Sequence, residues 1–68
     1  MSIGENIKKR RLSANLTQAQ LAEKTSLGQP YIAQLERGSR ILNVMTGKAI
    51  AEALDCKLED LMRENSGA

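Results

Sequence analysis

The apolar positions of this chain recur at helical spacing within short segments that turn-forming residues separate. Ile3, Ile7 and Leu12 follow this spacing in a run of good helix formers, which indicates one apolar helix face. They predict a helix over residues 3–14 that ends at Asn15, because asparagine tolerates the left-handed conformation of a C-terminal cap.

A second helix is predicted to run from Gln18 to Lys24 or Thr25. Thr17 and Gln20 form a capping box at its start, in which each side chain accepts a hydrogen bond from the other residue's backbone amide. A short break then separates this helix from the next.

The third predicted helix covers residues 29–37. Pro30 is tolerated in its first turn, where a backbone amide has no partner within the helix. Ile32 and Leu35 lie three residues apart on its buried face, and Gly38 ends it.

A fourth helix over residues 44–54 is capped by Asn43, and Gly47 within it marks a close contact, since glycine costs a helix about 1 kcal/mol relative to alanine. Its apolar side chains are Val44, Ile50, Ala51 and Leu54.

A last short helix, over about residues 58–62, closes the core with Leu58 and Leu61. The pattern therefore predicts an all-α fold of five helices in a single domain over residues 1–68. Its ordered core is expected at residues 3–62, and the tail at residues 63–68 is expected to fray.

The composition lacks most of the residue types that enzymes use for catalysis. The chain has no histidine, its one aromatic residue is Tyr31, and its one cysteine, Cys56, has no partner for an intrachain disulfide. Cys56 is interpreted as a small hydrophobic residue near a helix end. We therefore expect no catalytic residues, no metal site and no cofactor, because no nucleophile is spaced for activation by a base.

No apolar run approaches the roughly 20 residues that a membrane span needs. The N-terminal segment also lacks the apolar stretch of a signal peptide, so a cytoplasmic location is expected.

Charge is distributed unevenly along the chain, although its net charge is only +2. Residues 1–48 carry eight basic and three acidic side chains, a net charge of +5, whereas residues 49–68 carry two and five, a net charge of −3. A polyanion would therefore prefer the first two-thirds of the chain to the last third.

The second and third helices, over residues 18–37, meet the requirements of a helix-turn-helix. Ala22 supplies the small residue where the helices approach each other. The apolar cluster that fixes their crossing angle would be Leu21, Leu27, Ile32 and Leu35. The polar residues left on the outer face of the third helix are Gln29, Tyr31 and Gln34.

Two motifs give this arrangement a family resemblance. The motif L-T-Q-x-x-L-A occupies residues 16–22, and I-x-x-L-E-R-G occupies residues 32–38. With these motifs the chain resembles the lambda-repressor/Cro (Xre) family over residues 3–62, which implies a compact five-helix, lambda-repressor-like DNA-binding domain. It departs from the family at Ser26, where the family often has glycine, so a slightly different or mildly strained turn is expected.

The resemblance also implies roles for individual residues. Gln18 is similar to the family glutamine that binds a DNA phosphate and braces a second glutamine. Gln29 is similar to that second glutamine, which reads a base. A glutamine can bond N6 and N7 of adenine together, which gives about 1–3 kcal/mol of discrimination.

Other polar residues are candidates because of their positions. Tyr31 and Gln34 lie two and five residues after Gln29, so both can reach the major groove as base readers. Tyr31 is a candidate for phosphate contact as well. The remaining candidates for the DNA backbone are Thr17, Gln18, Arg40 and Asn43. The alternative for each is a solvated helix face.

In the family, an arginine late in the first helix pairs with the glutamate that ends the recognition helix. Arg11 and Glu36 occupy these positions, so the resemblance implies a structural ion pair that clamps the two helices.

The resulting hypothesis is a transcriptional regulator that binds a pseudo-palindromic DNA operator as a homodimer, with repression favoured over activation. The predicted dimer surface combines the loop residues Ile41 and Leu42 with Cys56 and Lys57. The alternative for the two loop residues is that they fold onto their own core. No small-molecule effector site is evident. The alternative function is an antitoxin or accessory module that binds another protein and also regulates its own operon.

Overall fold

The computed structural model describes residues 3–62, which form five helices. In chain order these are α1 Ile3–Ser13, α2 Gln18–Thr25, α3 Gln29–Arg37, α4 Val44–Ala53 and α5 Leu58–Met62. The part of the chain described here contains no strand, and the predicted all-α fold class is confirmed. The frayed tail expected at residues 63–68 lies outside the described residues.

A single apolar core lies where the helices meet. α3 packs against α1 and α2, while α4 packs against α2 and α5, and α1 also contacts α5. The buried apolar residues of this core are Ile7, Leu21, Ala22, Ile32, Leu35, Leu42, Ile50, Ala51, Leu54 and Leu61. α3 is therefore held from its inner side by two other helices.

The buried face of α1 differs from the prediction at Leu12, which is 56% exposed. Ile7 is fully buried, and the residue one helical turn after it is Arg11, which is also buried. Residues four apart share a helix face, whereas residues five apart do not. The sequence prediction was wrong for Leu12 because the charged Arg11 takes the inward position.

The helix ends follow the local signals in the sequence. The capping box of α2 is present, with Gln20 N donating to Thr17 Oγ1 at 3.0 Å and Thr17 N donating to Gln20 Oε1 at 2.8 Å. Asn15 and Ser26 adopt left-handed backbone conformations with φ of 61° and 60°. Ser26 therefore gives α2 a left-handed C-cap without glycine, at the steric cost that a side chain brings there.

α4 begins as predicted, because Asn43 Oδ1 accepts a hydrogen bond from Thr46 N at 2.9 Å. Val44 is not a core residue, since it lies in the first turn and is 62% exposed. Gly47 does mark a close contact, because an added Cβ would lie 2.6 Å from Leu58 Cδ1. It would also lie 3.4 Å from Leu42 Cδ2, so the missing side chain makes room for residues of the loop and of α5.

Candidate nucleic-acid interface

α2 and α3 meet at a short turn. Both helices bury the apolar residues that were predicted to lie between them. Leu21 and Ile32 are fully buried, and Ala22 is 6% exposed. Leu27 lies in the turn, packs against the core, and its backbone N donates to Ala22 O at 3.0 Å. This packing fixes α3 relative to α2, so the outer residues of α3 have defined positions.

Gln29 is the first residue of α3 and is exposed, as is Pro30 after it. The Gln29 side chain forms no hydrogen bond with any residue within 3–62, so its amide oxygen and nitrogen are both available to a ligand. Tyr31 and Gln34, the other predicted base readers, are half-buried and have partners within the protein.

Tyr31 connects α3 to α4. Its hydroxyl shares a hydrogen bond with Thr46 Oγ1 at 3.0 Å, and its ring packs against the core. Thr46 Oγ1 also lies 3.2 Å from Asn43 Oδ1, the oxygen that caps α4. The phenol therefore lies at the junction between α3 and the N-terminus of α4.

Arg40 is exposed, yet two contacts hold it against α3. Its Nε donates to Gln34 Oε1 at 2.8 Å. Its Cζ lies 5.2 Å from the centroid of the Tyr31 ring, which is a cation–π distance. The structure thus brings together three residues that the sequence placed separately on a helix and in a loop.

The two capping residues among the predicted backbone contacts use their side chains within the protein. Thr17 Oγ1 and Asn43 Oδ1 each accept a hydrogen bond from a backbone amide of the helix that follows. Both therefore stand at helix N-termini, where free backbone N–H groups and the helix dipole favour a phosphate.

Gln18 has a different partner from the one that the resemblance implies. Its Nε2 donates to Glu36 Oε1 at 3.1 Å, and it does not brace Gln29. A carboxylate is a stronger acceptor than an amide oxygen, which accounts for the difference.

The predicted ion pair between Arg11 and Glu36 is present and largely buried. Arg11 Nε lies 2.6 Å from Glu36 Oε2, Nη2 lies 3.1 Å from Oε1, and the two side chains are 8% and 4% exposed. Arg11 Nη1 also donates to Leu16 O at 2.8 Å. The pair joins α1 to α3, and the guanidinium neutralises a carboxylate near the end of α3.

A shallow depression between the turn and the loop after α3 collects several of these groups. It brings Tyr31, Arg40 and Asn43 onto one surface, together with the hydroxyls of Ser39 and Thr46. Sequence reasoning missed both hydroxyls. The Thr46 hydroxyl could have been predicted from its position three residues after the Asn43 cap, because such a residue lies at the start of its helix, next to the cap.

The helix-turn-helix family profile matches residues 7–61 of this chain, which is most of its length. The chain belongs to the helix-turn-helix family. One relative is the immunity repressor protein of Bacillus phage phi105, which is 36% identical over 66 residues. The match covers 97% of this chain and 46% of the relative, so the chain spans about half the length of that repressor.

Two solved structures with the same fold have sequences that are 28% identical to this chain. The P22 c2 repressor protein, in complex with synthetic operator 9T, superposes with a TM-score of 0.89 over 96% of this chain and 98% of that one. The restriction-modification controller protein C.AhdI from Aeromonas hydrophila gives a TM-score of 0.85 over 88% of this chain and 91% of that one. These similarities confirm the lambda-repressor-like architecture.

The predicted dimer surface of this helix-turn-helix protein is only partly exposed. Ile41 is 91% exposed, but Leu42 is 8% exposed and belongs to the core. The prediction was wrong for Leu42, because its side chain fills the space beside Gly47. Sequence reasoning missed two other apolar residues of the same segment, since Val44 is 62% exposed and Met45 is 80% exposed.

The other two predicted dimer residues lie between α4 and α5. Lys57 is exposed, whereas Cys56 is half-buried and packs against the core. Burial raises the pKa of the Cys56 thiol, which agrees with its interpretation as a small hydrophobic residue.

Residues 3–62 contain no group of three or more histidine, cysteine, aspartate or glutamate side chains that could hold a metal ion. None of the helices in this part of the chain is long and apolar enough to cross a membrane.

Proposed function

We propose that this helix-turn-helix protein is a sequence-specific, DNA-binding transcriptional regulator that places α3 in the major groove of an operator. The observation that carries the proposal is Gln29, an exposed residue at the start of a rigidly packed α3, with a free amide. A role in DNA binding rather than catalysis agrees with the family and with the related P22 c2 repressor, which was solved with an operator.

The proposed base readers are Gln29, Tyr31 and Gln34. The proposed contacts to the DNA backbone are Thr17, Gln18, Arg40 and Asn43. Phosphate contacts of this kind fix the register of the protein on the duplex, while contacts in the groove select the sequence. Arg11 and Glu36 hold α3 in place and do not contact DNA in this proposal.

Changing Gln29→Ala is expected to weaken binding to the preferred operator by about 1–3 kcal/mol, because it removes a base contact. An operator is first selected from a randomised duplex library with the native protein. The affinities of both proteins are then measured for this operator and for a scrambled duplex at the same salt concentration. Binding to the scrambled duplex is expected to stay nearly unchanged. Equal losses on both duplexes would show that Gln29 does not read a base.

Recognition by a homodimer is the second part of the proposal. Two subunits would read the half-sites of a pseudo-palindromic operator whose centres lie about 34 Å apart. Ile41, Val44 and Met45 expose apolar side chains within five residues of the chain, which favours a contact with a second copy. Cys56 and Lys57 are proposed as further residues of the same interface. Repression is proposed because a bound dimer needs no further part to block RNA polymerase. The proposed location of the protein is the cytoplasm.

Changing Ile41→Asp is expected to keep the protein monomeric and to make operator binding less steep with protein concentration. The native protein is expected to dimerise weakly, at micromolar concentrations or above. DNA would then assemble the dimer, because two adjacent half-sites raise the effective concentration of the second subunit. Sedimentation velocity and titrations of full and half operators measure these effects.

The matched control is Leu12→Asp, which introduces the same charge at another exposed apolar position, on α1. This variant is expected to dimerise like the native protein. If Ile41→Asp still dimerises, the interface lies elsewhere on the molecule. If the native protein stays monomeric and binds the full operator without steepness, recognition by a dimer is contradicted.

A further inference from the structure

The contact between Gln34 and Arg40 fixes the orientation of the glutamine amide. A guanidinium has only hydrogen-bond donors, so the amide atom that lies 2.8 Å from Arg40 Nε must be the oxygen. The other amide atom of Gln34, Nε2, is a donor, and no residue within 3–62 accepts a hydrogen bond from it. Gln34 therefore offers a donor to an external ligand.

Arg40 is itself held in this position. Its guanidinium lies over the ring of Tyr31, and the Tyr31 hydroxyl is bonded to Thr46 Oγ1 at 3.0 Å. The contact thus depends on a chain of interactions that starts in α4 and ends on the outer face of α3.

This orientation changes which base a glutamine can read. Reading adenine requires both amide atoms, because the oxygen accepts from N6 and the nitrogen donates to N7. In Gln34 the oxygen already accepts from Arg40, whose positive charge repels a second donor such as the amino group of adenine. Guanine presents two acceptors, N7 and O6, and no donor in the major groove.

We propose that Arg40 determines the base specificity of Gln34, so that this glutamine reads guanine rather than adenine. The inference rests on the proposed function. Gln29 is the internal comparison, since it is a glutamine on the same helix whose amide has no side-chain partner among residues 3–62. Gln29 keeps both amide atoms free and reads adenine, so one helix carries two glutamines with different base preferences.

The test uses selection from a randomised duplex library with the native protein and with three variants: Gln34→Ala, Gln29→Ala and Arg40→Met. Each glutamine variant identifies the operator position that its side chain reads. The native protein is expected to prefer guanine over adenine by about tenfold at the position that depends on Gln34. Replacing that guanine with 7-deazaguanine should weaken binding by the native protein but not by Gln34→Ala.

Arg40→Met replaces the guanidinium over the Tyr31 ring with an uncharged side chain and removes the donor to Gln34. It is expected to shift the preference at the Gln34 position toward adenine and to leave the Gln29 position unchanged. Because Arg40 is exposed, this variant should remain folded, which far-UV circular dichroism checks.

Three results would overturn the inference: an adenine preference at the Gln34 position of the native protein, no change in any base preference with Gln34→Ala, or an Arg40→Met variant that binds every sequence more weakly with the same preferences. Failure of the native protein to select any sequence would instead overturn the proposed function.

Discussion

Replacing Arg11 with methionine is expected to destabilise the fold by about 3–5 kcal/mol, because it leaves the carboxylate of Glu36 buried without its cation. The side chain of Glu36 is 4% exposed and would keep only the hydrogen bond from Gln18. The carbonyl of Leu16 would lose its partner as well. A domain of this size has a total stability of about 3–10 kcal/mol, so the variant is expected to be partly or wholly unfolded at room temperature.

Urea unfolding followed by circular dichroism measures this loss. The control is the double variant Arg11→Met with Glu36→Leu, which removes both charges and leaves apolar groups of similar volume. It should recover much of the lost stability, since a buried ion pair and a well-packed apolar pair have similar net effects. The double variant also makes the test informative if the single variant does not fold.

A midpoint of unfolding that Arg11→Met leaves unchanged would contradict the clamp between α1 and α3. A double variant that is no more stable than the single one would show that the loss comes from packing of the arginine side chain, and not from the unpaired carboxylate.

The helix boundaries could be predicted well from the sequence because the signals for them are local. The capping box at Thr17, the cap at Asn43 and the left-handed residue Asn15 each act within about four residues of the chain. Ser26 shows the same locality, since the turn keeps its left-handed conformation although serine replaces the usual glycine.

Burial at single positions was harder to predict, because it depends on which residues the other helices and loops bring close to each position. Ile41 and Leu42 are adjacent apolar residues with the same local pattern, yet only Leu42 finds a space beside Gly47 of α4. Leu12 faces outward because a charged residue, Arg11, finds its partner on α3.

The sequence predicts the residues of the candidate site one by one, but it does not predict the contacts between them. The sequence placed Gln34 and Arg40 on the DNA-binding side without indicating that they bond to each other. Contacts between a helix and the loop after it depend on the path of the loop, which neither periodicity nor capping signals describe.

Gly4 carries a constraint that the sequence does not reveal. It lies in the first turn of α1, where alanine would ordinarily stabilise the helix by up to about 1 kcal/mol. In the structure, however, Gly4 is buried against the end of α3. An added Cβ would overlap the carbonyl oxygen of Leu35 and would lie 2.6 Å from that of Glu36. Both atoms belong to the backbone, so no side-chain rotation relieves the overlap.

Gly4→Ala is therefore expected to destabilise the protein by about 2–3 kcal/mol, because α1 must move away from α3. Helix propensity alone would predict the opposite, a more stable protein. The matched control is Gly28→Ser at the N-cap of α3, where φ is −74° and an added Cβ would meet only Pro30 Cδ at 3.7 Å. Serine can cap the helix, so this control should be neutral or more stable by a few tenths of a kcal/mol. Urea unfolding of both variants gives the comparison, and titration of the selected operator measures whether a displaced α3 binds DNA more weakly. If Gly4→Ala is as stable as the native protein, α1 can separate from α3 without cost, and the close approach does not hold the recognition helix in place.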